Sequence, residues 1–151
     1  MVYGDAKVCG NARVYDNARV CDNAMVCGSA MVYGNAIVRD NTMVYSNAIV
    51  CGNAEVYGNT EVYGNAIVCD NAMVCCDADY LTIGPIGPRD DTVTFMRSKD
   101  NKTIVKCGYF IGDIDAFISK VKETHRDNEH CKAYLLAAEI AKVRIKLEEA
   151  V

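Results

Sequence analysis

Valine stands at position 2 and at every sixth position after it through Val74, thirteen times without a slip. An unbroken period of six over half a chain leaves few folds open. An amphipathic helix needs apolar spacings of three and four, and they are absent from this half. An antiparallel meander needs longer strands between its turns.

The residues between the valines complete the unit. Four positions after each valine comes Ala or Thr, as in Ala6, Ala12, Thr42 and Thr60. That residue is preceded by Asn or a near substitute, as in Asn11, Asn17, Ser29 and Asn35, and before that mostly by Gly or Asp. Ala and the next Val are two apart, so in an extended chain both point to one side. Gly/Asp-Asn is turn chemistry, and Asn is the residue expected to tolerate a left-handed backbone there. Each unit is therefore one very short strand and one corner.

The pattern resembles the hexapeptide repeats of left-handed parallel β-helix proteins over residues 1–79. The resemblance implies three units per triangular coil of eighteen residues, with Val and Ala filling the interior. It implies about four coils, a prism roughly 20 Å tall at ~4.8 Å per strand layer. Left-handed coiling is likewise implied by the resemblance.

The period stops near Cys76. Gly84-Pro85-Ile86-Gly87-Pro88 reads as a hinge spanning 80–91. Beyond it, 92–151 reads as a small ββαα domain. Thr92–Arg97 and Thr103–Cys107 form a hairpin. Asp113 caps a helix ending near His125, and a second helix runs from about Asn128 to Glu149 with Tyr134, Leu135, Ala138, Ala141 and Ile145 on one apolar side. Even with the hinge counted in, about seventy residues are few for an independent core. The tail is expected to dock on the last coil and seal it, because repeat stacks need caps. The order of parts resembles uncharacterised hexapeptide-repeat proteins of gut bacteria and their phages and prophages, through Thr94–Arg97, Lys106-Cys107-Gly108-Tyr109-Phe110-Ile111-Gly112 and Val121-Lys122-Glu123-Thr124-His125. That resemblance implies a phage-linked setting and no known activity.

Charge and cysteine usage exclude several classes. Residues 1–79 carry four Lys/Arg against nine Asp/Glu, net −5, and the remainder is net +1. Neither half has the basic stripe of a nucleic-acid binder. No apolar run approaches a membrane span, and no secretory leader is visible. The nine cysteines are odd in number, and Cys9, Cys21, Cys27, Cys51, Cys69 and Cys75 fill a slot that elsewhere holds Tyr15 or Tyr33. That exchange points to reduced packing thiols in a cytoplasm.

Residues flanking each valine point outward and stack every eighteen residues. One face carries Tyr15, Met31, Tyr33, Ile49, Cys51, Ile67 and Cys69, almost wholly apolar above Arg13. Such a patch marks an interface. It is expected either to lie under the tail's helices or to join two copies in a two-fold dimer. The first coil, in register from Val2, offers a second route, end-to-end stacking.

Chemistry is sparse. The acyltransferases of this fold would imply a catalytic His near a subunit boundary and a loop insertion, and residues 2–78 have neither. In the tail, Cys107, His125, His130 and Cys131 are the candidates. They lack the paired spacing of a zinc site, and a Cys131–His125 nucleophile pair has no other support. Gly84 and Gly87 are split by Pro85 and followed by no Lys-Ser/Thr, so they are no phosphate loop. No metal or cofactor is expected. The expected function is a non-enzymatic interaction module, phage- or prophage-derived. It would form a homo-oligomer and block or scaffold a host macromolecule such as a defence component. The alternatives are an acyltransferase-like or small-molecule-binding oligomer and an end-to-end structural assembly.

Overall fold

The structure is a computed structural model and describes residues 1–148. Its first half is a β-solenoid of about four coils. Lys7–Val8 is strand β1, and eleven further two-residue strands follow at six-residue steps to Met73–Val74, β12. They form three four-stranded parallel sheets, in which each strand pairs with the one eighteen residues on. From Ala18 to Val74, the Ala and Val columns have no exposed surface. Thr42 and Thr60 take the small-residue slot and are equally buried. Thr60 Oγ1 donates to the Tyr57 carbonyl at 2.8 Å, while Thr42 Oγ1 finds no partner.

The corners divide their labour differently from the sequence expectation. The left-handed conformation falls on the Gly/Asp position and not on the Asn that follows. Asp16, Asp22, Asp40, Ser46 and Asp70 have φ of 56–62°, and the glycines at equivalent corners are also positive. Asn instead bonds along the prism axis. Asn17 Nδ2 donates to Asn35 Oδ1 at 3.3 Å and Asn35 to Asn53 at 3.2 Å. A second column runs Asn23–Asn41–Asn59 at 3.2 and 3.1 Å. The primary amide is both donor and acceptor, so one residue type can satisfy itself repeatedly. Where the corner is Asp, its carboxylate accepts the backbone N–H one coil up: Gly34 N to Asp16, Asp40 N to Asp22 and Gly58 N to Asp40, at 3.0–3.3 Å.

The tail is a four-stranded antiparallel sheet with two helices. The expected hairpin is present as β14, Asp91–Arg97, and β15, Thr103–Cys107. Two strands were not foreseen. Tyr80–Ile86 (β13) occupies most of the segment read as a hinge, and Phe110–Asp113 (β16) completes the order β13-β14-β15-β16. β13 is an edge strand, and it contains a register shift between Ile83 and Ile86. Pro85 is tolerable there because an edge strand need not donate on its outer side. Helix α1 spans Ile114–His125, capped by Asp113, whose carboxylate accepts Ala116 N at 2.8 Å. Helix α2 spans Glu129–Arg144, capped by Asn128. It stops short of the expected Glu149, which lies outside the described residues.

Period-two alternation turns this sheet into a partition. Thr94, Met96 and Ile104 face the solenoid, and Met96 and Ile104 join its core. Val93, Phe95 and Val105 face the helices and pack with Phe117, Val121, Tyr134 and Ala138. The topmost strand on each face of the prism is thereby satisfied. Ile67 N donates to Thr94 Oγ1 at 3.1 Å, and Cys69 N meets Met96 Sδ at 3.4 Å. Ala72 bridges Ser98, and Lys99 N donates to the Asn71 carbonyl at 2.8 Å. Glu61 N donates to Asp77 Oδ1 at 2.9 Å, and Tyr80 Oη to the Glu61 carbonyl at 2.6 Å. The tail seals the last coil. The first coil is open, with Val2, Tyr3 and Val8 exposed.

Candidate interaction surfaces

Stacking by eighteen residues builds the face singled out in the sequence. Tyr15 and Tyr33 lie ring on ring, centroids 5.0 Å apart and 8° from parallel. Met31 pairs with Ile49 and Ile49 with Ile67 across in-register strands. Successive layers cover each other, so Met31, Tyr33, Ile49, Cys51 and Ile67 are half-buried, Cys69 is buried and Tyr15 is exposed. The helices do not lie over this face. They pack on the side of the partition sheet turned away from the prism.

Cys51 and Cys69 sit one above the other here. The Cys51 thiol is lowered to about 7, because a hydrogen bond from Cys69 favours its thiolate; burial works against this, while the Tyr33 hydroxyl and the charge of Lys106 assist it. The Cys69 thiol moves up in return, since it keeps the shared proton and is desolvated. A second ladder, Tyr45 on Tyr63 at 5.4 Å, is tied by Tyr45 Oη to Glu61 Oε2 at 3.0 Å. On the third face, the Arg39 guanidinium lies 4.2 Å from the Tyr57 ring centroid.

The tail candidates come together only in part. The His125 ring lies 5.8 Å from that of His130 and 5.6 Å from that of Tyr134. Cys107 Sγ is 3.9 Å from Tyr134 Oη, and burial pushes its thiol up. Cys131 is turned into the helix–sheet core and buried. A thiol desolvated among apolar groups is the inert kind. Among the described residues, the cluster with metal-binding spacing is a different one, Cys75, Cys76 and Asp79.

One surface was missed. Leu136, Ile140 and Val143 are 66%, 52% and 71% exposed on α2, opposite the buried Tyr134, Ala138 and Ala141. Their spacing of four then three is that of a helix seam. Glu139 pairs with Lys142 at 3.6 Å beside the stripe, and Arg144 and Lys146 border it. The signal was in the sequence, but an α2 with two apolar sides reads as one broad buried one.

The fold places the first half in the class of parallel β-helix repeat proteins. A family model described as YdcK Beta solenoid repeat matches residues 6–21 and 18–34, within the first two coils. No curated protein and no solved structure matches the chain.

Proposed function

We propose that the protein is a non-enzymatic interaction module in which the prism pairs two copies and the cap presents a docking helix to a host macromolecule. The observation that carries the reading is the outer stripe of α2. Three large aliphatic side chains stand in solvent on a helix whose other side is fully used, and a patch of this kind on a soluble surface is usually a partner's seat. The stripe lies on a 16-residue helix with charged residues at its border, the arrangement by which an apolar seam meets another helix or a groove. The face of Tyr15, Met31, Tyr33, Ile49, Cys51, Ile67 and Cys69 is left for self-association, most simply about a two-fold axis.

Several observations support the setting. All nine cysteines are free thiols, as suits a reducing cytoplasm. No described helix is long and apolar enough to cross a membrane. The phage-linked resemblance makes a host component, such as a defence protein, the partner class. End-to-end growth along the prism axis is disfavoured, because the cap already occupies the last coil's three edges.

Two substitutions separate the two surfaces. Ile140→Asp should abolish capture of a stoichiometric host protein and leave the solution mass unchanged. Ile49→Glu should halve the light-scattering mass and leave capture intact. Capture that survives Ile140→Asp would sink the docking-helix reading, and a wild-type chain that scatters as a monomer would sink the dimer.

A further inference from the structure

The prism hands over to its cap at Cys75-Cys76-Asp77-Ala78-Asp79, where the repeat breaks. Cys76 occupies the corner position that elsewhere is left-handed. Here it is extended, φ −156° and ψ 167°, and it leads into a 3-10 turn over Asp77–Asp79. The thiols of Cys75 and Cys76 and a carboxylate oxygen of Asp79 thereby lie within 4.8 Å of one another. We propose that Cys75, Cys76 and Asp79 bind one divalent cation of the zinc class. This site is independent of the docking surfaces described above.

The donor set is two sulfurs and one carboxylate oxygen, which selects a soft-to-borderline cation over magnesium or calcium. Three protein ligands leave the fourth position of a tetrahedral ion to water. Asp79 is held in place before any ion arrives. Its Oδ2 accepts Cys75 N at 2.9 Å, and its Oδ1 lies 3.3 Å from Arg97 Nε. The Cys75 thiol donates to the same Oδ2 at 3.1 Å. A cation replaces that proton and the one on Cys76, so binding releases two protons.

Arg97 closes the charge balance. Two thiolates and a carboxylate carry three negative charges, and a divalent ion neutralises two. The guanidinium supplies the third positive charge from a site only 6% exposed, with Nη2 3.6 Å from Cys75 Sγ; its Nη1 also lies 3.3 Å from Glu148 Oε1, a mostly exposed carboxylate that water screens. Its buried Nε has no hydrogen-bond partner of good geometry. Metal binding ionises the Cys75 thiol beside Nη2, and a guanidinium donates more strongly to a thiolate than to a thiol. Cys76 is exposed and provides the way in.

The test is titration of the reduced full chain with Co²⁺ and then Zn²⁺, followed by the thiolate-to-cobalt charge-transfer band and by competition with a chromophoric chelator. One equivalent of Co²⁺ should develop the band, and Zn²⁺ should displace it. Cys76→Ser changes an exposed side chain and should weaken binding at least about tenfold, the smallest loss that even a residue behind the ligands typically causes. Cys131→Ala and Cys9→Ser should leave it unchanged. Undiminished affinity in Cys76→Ser, or a wild-type chain that retains no stoichiometric ion, overturns the site. Circular dichroism of each variant confirms that the fold is intact.

Discussion

Val8 and Val50 occupy the same slot of the same repeat, yet their environments differ. Val50 has no exposed surface, whereas Val8, in the open first coil, is 37% exposed. Replacing Val50 by Ala removes two buried carbons, worth about 1.6 kcal/mol in transfer. The enclosed void left between coils adds about 1 kcal/mol. Val50→Ala should therefore cost about 2.5 kcal/mol. Val8→Ala loses roughly two thirds of the transfer part and leaves no closed void, because water reaches the site, so about 1 kcal/mol is expected. Fraying of a terminal coil that has a neighbour on one side only lowers it further. Urea unfolding followed by circular dichroism, with the two variants compared at equal m-value, reads the difference directly. Equal losses would refute the reasoning. They would mean that the first coil is covered in solution and that Val8 is as deeply buried as its repeats.

Asp40→Ala removes the acceptor for Gly58 N and places Ala at φ 62°, and should cost about 2 kcal/mol by thermal melt. Asp40→Gly, which relieves the backbone strain, should cost less. A Cβ on Gly87 would overlap the Tyr134 hydroxyl at a φ of 79°, so Gly87→Ala should loosen the cap by more than about 2 kcal/mol. Hydrogen exchange should show α2 losing protection while the middle coils keep theirs. Because the Cys51 thiol is lowered to about 7, its alkylation rate should rise through that pH as the thiolate forms. Lys106→Ala, which removes a charge favouring the thiolate, should shift the profile upward. A profile centred at the ordinary thiol value in the wild type would refute the pairing with Cys69.

The prism was legible because thirteen copies of one signal reinforce each other, and each copy names the inward residues by alternation alone. The corners were less so. Asn and its predecessor both suit a turn, and only the three-dimensional stack shows that Asn is needed for its amide ladder while Gly or Asp takes the left-handed turn. In the tail, the caps Asp113 and Asn128 and the hairpin followed from local rules. β13 did not, because Gly84, Pro85 and Gly87 are turn residues that an edge strand with a register shift can absorb. The inward Met96 and Ile104 could not be assigned to the prism core from sequence, since their neighbours are thirty residues away. Of the candidate surfaces, the face around Ile49 followed from the period. The stripe of Leu136, Ile140 and Val143 was hidden by the helix's second apolar side. In the sequence Cys75 reads as a packing thiol like its repeats, and only the 3-10 turn brings Asp79 to it and to Cys76.

The eighteen-residue stack gives chain length an angular meaning. Gain or loss of a single hexapeptide would leave Val on Val and Ala on Ala, so the interior would tolerate it. Everything downstream would turn by a third of a revolution about the long axis. The direction in which α2 points, relative to any chosen face, is therefore counted modulo three in repeats. Three repeats added together would restore the bearing and raise the cap by one layer. Copy number thus acts as a dial for the azimuth of the cap and as a ruler for its height, and the two settings can drift in evolution without a change to the Val and Ala columns of the interior.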